Sequence, residues 1–248
     1  MGAFHDGHVR LMSESAKECK TTIVSLFVNP MQFNSPADFN TYPRDLDTDM
    51  AVAERAGVDA VFVPAESEMV TKGVYDRLPA RIADQWEGEH RPGHFAGVAT
   101  IVLRLFTLVS PQRAYFGEKD LQQCAVIRCL IREEKLDVEL RTIETVREPS
   151  GLAMSSRNEL LSENDREKAG RIYHTLQSLA GVIQASLEPV SPLCTAAREE
   201  LERPGFHVQY LAYVDPESMR ERTDPEAGGR LIIAAILSRV RLIDNVAV

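Results

Sequence analysis

The chain has no C-x-x-C pair, no excess of positive charge, no apolar run of bilayer-spanning length and no internal repeat or low-complexity tract. Each lack excludes something. Cys19, Cys124, Cys129 and Cys194 show no metal-finger spacing, so they read as reduced, buried thiols and not as a disulfide framework. Lys and Arg number 28 against 37 Asp and Glu, a formal net charge of −9. That balance argues against nucleic acid or an anionic membrane as the main partner, while leaving room for a local cationic pocket. Arg104 interrupts the best apolar candidate, Val98 to Val109, so no membrane span is expected. The opening reads neither as a secretory leader nor as a myristoylation signal, because Asp6 stands where the latter needs Ser or Thr. The expected setting is the cytoplasm.

What is present is enough for one large domain or two modest ones: 248 residues, 44% hydrophobic and 26% charged. The first half alternates strand-like and helix-like segments. Thr21 to Val28 is a β-branched apolar run, Asp45 to Ala56 is helical and stopped by Gly57, and Val58 to Val63 is a second strand. His94 to Val109 places Val98, Ile101, Val102, Leu105, Phe106 and Val109 on one helical stripe. A strand at Arg113 to Phe116, a helix from Lys119 to Glu134 and a strand at Val138 to Val146 come next. This alternation predicts an α/β fold with a parallel sheet covered by helices on both sides.

The second half predicts a long helix over Glu163 to Ala185, broken by Pro189 to Pro192, then a helix over Cys194 to Arg203. Strands are expected at Val208 to Val214, Arg230 to Ile236 and Arg239 to Val246, with Arg222 to Gly229 a surface loop. Helices followed by neighbouring strands describe a smaller α+β domain. A boundary near Pro149 to Gly151 gives domains of residues 1–149 and 150–248.

In an open parallel sheet, ligands bind beyond the carboxyl ends of the strands. Just after the predicted strands stand Asn29-Pro30-Met31-Gln32, then Gly117-Glu118-Lys119-Asp120, then Arg147 and the loop Met154-Ser155-Ser156-Arg157-Asn158. Polar and cationic groups at one rim suit a phosphate-bearing ligand. His5-Asp6-Gly7-His8 opens a helix, where ring N–H groups and the positive helix end can meet phosphate oxygens. Two such histidines are as often surface residues or a metal pair, and no third ligand with zinc spacing lies nearby. Lys119 and Gln123, four apart, would share a helical face near its start, able to meet a phosphate and a hydroxyl or carboxylate. Ser155-Ser156-Arg157 could clamp a polyphosphate or cap a helix. His90-Arg91-Pro92-Gly93-His94 could be a helix-entry loop and nothing more. Behind Tyr42-Pro43-Arg44, Asp45 and Asp47 read as acids favouring the next helix N-terminus, and Asp49 could offer a carboxylate to magnesium.

These pieces resemble one family in order: Met1-Gly-Ala-Phe-His-Asp-Gly-His8, Phe27-Val-Asn-Pro-Met-Gln-Phe33, Tyr42-Pro-Arg44, Arg91-Pro-Gly-His-Phe-Ala-Gly97, Tyr115-Phe-Gly-Glu-Lys-Asp120, Gly151-Leu-Ala-Met-Ser-Ser-Arg-Asn158 and Arg241-Leu-Ile-Asp-Asn245. The family is pantothenate synthetase, and the match runs nearly end to end. Only H-x-G-H is shared with the wider nucleotidyltransferase superfamily. The resemblance implies a Rossmann-like nucleotidyltransferase domain with a smaller α+β C-terminal domain that acts as a lid. It implies ATP-dependent joining of pantoate to β-alanine through pantoyl adenylate, with Mg2+, in a cytoplasmic homodimer.

By position, the resemblance makes His8, His5, Lys119 and Arg157 the catalytic group. Met1, Gly2, His5, His8, Gly117, Lys119, Asp120, Val146, Met154, Ser155, Ser156 and Arg157 are the implied nucleotide contacts. Gln32, Gln123 and Asn29 would hold pantoate and β-alanine, and Asp49 would help place the metal. Family members also carry a segment ahead of the motif that starts here at Met1, ending in a central strand. The chain is therefore expected to lack its first strand, leaving neighbouring strands without ladder partners. Upstream extension is expected to raise stability and activity. The competing expectations are another histidine-pair nucleotidyltransferase and an inactive remnant that binds nucleotide.

Overall fold

The structure, a computed structural model, describes residues 2–32, 45–70, 73–185 and 188–248. The described chain divides into two compact units, Met1–Gly117 with Gln123–Ile143, and Glu118–Gln122 with Glu144–Val248. The boundary expected at 149/150 thus differs from the observed division after Ile143. The reason is local: Arg147 pairs with Ala153 in an antiparallel bridge and donates to Asp244, so residues 144–149 belong to the second unit.

The first unit alternates as its sequence predicts. Helix α1 (Asp6–Glu18) leads to β1 (Ile23–Ser25), α2 (Leu46–Arg55) and β2 (Ala60–Phe62). After three single-turn helices come α3 (His94–Val109), β3 (Arg113–Gly117), α4 (Leu121–Glu133) and β4 (Glu139–Ile143). All described strands of this unit pair in parallel, as β-α-β connections require. Ile23 lies opposite Ala60, and Arg113 opposite Glu139. The pairs β1-β2 and β3-β4 form two separate two-stranded sheets among the described residues.

β1 is shorter than the predicted run from 21 to 28. The Thr22 amide leaves the ladder to bond the Asp59 carboxylate at 2.8 Å, and the strand ends at Ser25, with the Leu26 amide still donating to the Phe62 carbonyl at 2.9 Å. α3 matches its predicted span and buries Val98, Ile101, Val102 and Phe106. Gly93 and Ser110, both left-handed, bound it. Asp45 caps α2 by accepting from the Thr48 amide at 3.0 Å, the helix-start role read for it in the sequence.

The second unit is α+β. Helices α5 (Glu163–Ala169), α6 (Arg171–Ala185) and α7 (Val190–Glu202) precede β5 (His207–Val214), β6 (Arg230–Leu237) and β7 (Val240–Ala247), an antiparallel sheet in that order. Leu176, Ile183, Leu201, Val208, Leu231 and Ile233 form its fully buried centre. Ser238 and Arg239 carry positive φ values of 48° and 73°, which close the β6–β7 hairpin with the twist the strands need.

Two elements of this unit depart from expectation. The predicted single helix from 163 to 185 is two, with Gly170 between them at the C-cap of α5 and so close to Ser150 that a Cβ there would lie 2.1 Å from its carbonyl oxygen. The predicted break at Pro189 to Pro192 is instead a helix start. Pro189 caps α7 and Pro192 sits in its first turn, where no intrahelical N–H is needed.

Asp215 organises the turn after β5. Its carboxylate accepts from the Ser218 amide and hydroxyl, each at 2.8 Å, and from Arg222 at 2.6 Å. The Ser218 amide first, then its hydroxyl and Arg222, hold the carboxyl down to about 2 against the cost of burial. A carboxyl depressed in the folded state contributes its full stability above the ordinary aspartate value near ~4 and loses it as pH falls toward the folded value. Asp215→Asn is therefore expected to cost roughly 1–2 kcal/mol at neutral pH. In urea denaturation the gap to the parent chain should narrow once pH drops below about 4. A gap independent of pH would contradict this.

Candidate active site

In the first unit the histidine pair is a helix cap. His5 is the N-cap of α1, and its Nδ1 accepts the Gly7 amide at 3.1 Å. The His8 ring reciprocates, its Nδ1 accepting the His5 amide at 3.3 Å, so the two close a capping box. Their rings lie 4.1 Å apart, centroid to centroid, and Phe4 packs against His8 at 5.4 Å. With both Nδ1 atoms accepting, the neutral rings carry their protons on Nε2. Two imidazole Nε2–H donors at a helix N-terminus can bond an anion, which is the chemistry a triphosphate requires.

Asp49 fixes the approach to that pair. It is 2% exposed, and its two oxygens accept the Ala3 amide at 2.9 Å and the Phe4 amide at 2.7 Å. Ala3 has a positive φ of 51°, and the chain from Ala3 to His5 is held by this buried carboxylate.

Asn29 is buried as well. It donates to the Gly97 carbonyl at 3.3 Å and accepts the Met31 amide at 3.0 Å, tying the 3-10 turn Pro30–Gln32 to α3. A Cβ on Gly97 would sit 2.8 Å from the Met31 carbonyl oxygen, so only glycine permits that contact. Gln32 lies in the same turn by its backbone. Met1, Phe33 and Tyr42-Pro43-Arg44 lie outside the described residues. Gly117 ends β3, and Gln123 is half-buried on α4.

In the second unit, Lys119 and Asp120 occupy a 3-10 turn, Glu118–Asp120, that precedes α4. Lys119 thus stands in the turn that runs directly into the helix expected to start with it. Lys119 Nζ lies 3.7 Å from Asp120. Val146 accepts the Met154 amide at 2.9 Å, closing the loop that delivers Ser155, Ser156 and Arg157. Ser155 does cap the 3-10 helix Ser156–Leu160, accepting the Arg157 amide at 3.3 Å. Beneath it, buried Asn158 donates to Glu148 at 2.7 Å and to the Ala153 carbonyl. Burial opposes ionisation of Glu148, but Arg166 and Asn158 outweigh it and hold the carboxyl below its ordinary value.

A family profile described as pantoate-β-alanine ligase matches residues 1–247. The chain belongs to that family.

A pantothenate synthetase of Thermus thermophilus is 44% identical over all of this chain and 91% of its own length. A crystal structure of the Thermus enzyme superposes with a TM-score of 0.93 over 100% of this chain and 90% of that one. A pantoate-β-alanine ligase of Francisella tularensis, solved in complex with "Beta-gamma ATP and Beta-alanine", is 34% identical with a TM-score of 0.81, over 100% and 87% of the two chains. A bifunctional pantoate ligase/cytidylate kinase of Synechococcus (strain JA-3-3Ab) is 44% identical, and the ligase-family chain spans 47% of its length.

Asp49, which the resemblance expects to help place magnesium, holds backbone with both of its carboxylate oxygens. Each oxygen accepts one backbone amide in the interior, and among the described residues there is no group of three or more acidic, His or Cys side chains of the kind that holds a metal by protein alone. The sequence placed Arg147 at the rim and Asp244 and Asn245 in a family motif, but it revealed neither Arg230 nor the pairing of these four residues. The available signal was an Asp-Asn pair inside the apolar strand Leu242 to Val246, since buried polar residues in a strand need partners.

Asp49→Ala leaves the Ala3 and Phe4 amides without acceptors. It is expected to cost roughly 1–3 kcal/mol for each amide that stays dry. Hydrogen exchange at the Phe4 amide should accelerate by at least tenfold, and an unchanged rate there would show that Asp49 does not hold the segment.

Proposed function

We propose that the chain condenses pantoate with β-alanine at the expense of ATP. The pantoate carboxylate oxygen bonds the α-phosphorus of ATP and pyrophosphate leaves, giving pantoyl adenylate. The β-alanine amine then bonds the acyl carbon, AMP leaves with the bridging oxygen, and the amine gives up a proton to yield the amide of pantothenate. Splitting the reaction in two replaces a poor leaving group on the acyl carbon with a good one.

The observation that carries this reading is the histidine capping box at the head of α1. Nδ1 of both rings is committed to backbone amides, which makes Nε2–H the donor nitrogen for the triphosphate. His8 and His5 bind the phosphates, with His8 the proton donor, and Gly2 and Gly117 give the nucleotide close approach. Lys119, Ser155, Ser156 and Arg157 offset the charge that grows on the departing pyrophosphate, and Asp120, Val146 and Met154 contact the nucleotide. Gln32 and Gln123 hold pantoate, with Asn29 fixing the turn that carries Gln32. In this reading Mg2+ arrives with the nucleotide, and Asp49 acts through the backbone it holds. The protein works as a homodimer in the cytoplasm. No described helix is long and apolar enough to cross a membrane.

The test is exchange of labelled pyrophosphate into ATP, with and without pantoate. Exchange should require pantoate, and His8→Ala should lower it by about 10²–10³-fold, the loss of one donor to developing charge. Exchange independent of pantoate would favour another nucleotidyltransferase. ATP binding without any exchange would favour an inactive remnant.

A further inference from the structure

We propose that Asn245, braced by Arg230, is the positioning residue for Lys119. The proposal rests on the reading of Lys119 as a phosphate-binding lysine. Lys119 sits in a 3-10 turn of three residues, Glu118–Asp120. So short a turn has poor internal hydrogen-bond geometry and holds its shape only with outside support. That support comes from the C-terminal strand of the same unit. The Asn245 side-chain amide donates to the Glu118 carbonyl at 2.8 Å and to the Lys119 carbonyl at 3.2 Å. One side chain therefore grips the peptide groups on both sides of the Lys119 α-carbon, which sets the direction of its Cα–Cβ bond.

The asparagine is itself fixed. Its Oδ1 accepts from Arg230 at 3.0 Å, and the other guanidinium nitrogen of Arg230 reaches the Glu118 carboxylate at 2.8 Å. Arg230 thus closes a ring that runs through Asn245, the Glu118 backbone and the Glu118 side chain. Asn245 is 3% exposed, so water does not stand in for any of these partners. The residue type follows from the donor and acceptor count. Two carbonyls need two N–H donors and Arg230 needs an acceptor, which a primary amide supplies at this length. Aspartate would aim a carboxylate at two carbonyl oxygens.

The neighbouring residue pins the strand. Asp244 accepts both nitrogens of the Arg147 fork, at 2.6 and 2.9 Å, and the Asn245 amide at 2.8 Å. Arg147 also lies 3.8 Å above the Tyr173 ring and donates to the Gly151 carbonyl at 3.1 Å. Side chains of adjacent strand residues point to opposite faces, so Asp244 can anchor β7 while Asn245 reaches for the lysine turn. A displacement of about 1 Å at a charge-stabilising group can cost on the order of 10²-fold in rate.

The test is a double-mutant cycle on pantoate-dependent pyrophosphate exchange in the full chain, with thermal unfolding recorded for each variant. Asn245→Ala is expected to lower exchange by at least tenfold in the parent background. In the Lys119→Ala background the same substitution should change the residual exchange by less than twofold, because the group it positions is gone. Arg230→Lys, which keeps the charge but loses the fork, should show the same dependence on Lys119 and serves where Asn245→Ala does not fold. Equal losses in both backgrounds, or no loss in the parent, would overturn the positioning role. Full exchange in Lys119→Ala alone would instead overturn the reading of Lys119, and the proposal with it.

Discussion

A carboxylate taken out of water must be met by donors, and in each unit of this protein one such group dictates the local architecture. Leaving it unmet costs several kcal/mol, far more than a turn or a cap contributes. Asp49 is buried beneath the start of α1 and satisfies itself with the two backbone amides that precede His5. Asp244 is buried in β7 and takes the Arg147 fork together with the Asn245 amide. Burial pushes the Asp244 carboxyl upward, and Arg147 draws it back toward the ionised form. Neither residue needs to touch a substrate to matter, because the chemistry-bearing segments hang from them.

This arrangement explains how an acidic protein can serve an anionic reaction. The net charge of −9 is spread over the surface, where salt screens it within roughly 8–10 Å. The donors assigned to the triphosphate are imidazole, ammonium, hydroxyl and guanidinium groups on short, braced segments. His5 and His8 are oriented by their own capping box, and the Ser155–Arg157 segment by buried Asn158 over the Glu148–Arg166 pair. Oriented donors at contact distance outweigh a diffuse surface charge, and they need no reorganisation when charge shifts to the leaving group.

Much of this was legible in the sequence, and the remainder has identifiable causes. The α3 stripe was readable because its apolar residues recur at helical spacing, and β6 because its apolar run is continuous. The histidine motif suggested an anion site, but its role as a cap was not readable, since Nδ1 bonding depends on ring rotation. Periodicity did not show the division at Gly170, nor its close approach to Ser150, a contact distant in sequence. Pro189 and Pro192 read as breakers because the same residue that ends one helix can begin the next. The hold of Asp49 on the Ala3 and Phe4 amides was not readable, because an acid in a helix looks alike whether it faces solvent or the interior. The Arg147–Asp244 pair joins residues nearly a hundred positions apart, which no local pattern reveals.

The central claim is that this fold activates a carboxylate by joining it to the α-phosphorus of ATP. It is tested most directly by supplying pantoate labelled with ¹⁸O in both carboxylate oxygens, together with ATP and β-alanine, and weighing the AMP produced. The account predicts one ¹⁸O in each AMP, since the bridging oxygen leaves with the phosphate when the amine attacks the acyl carbon. Unlabelled AMP formed alongside pantothenate would contradict it.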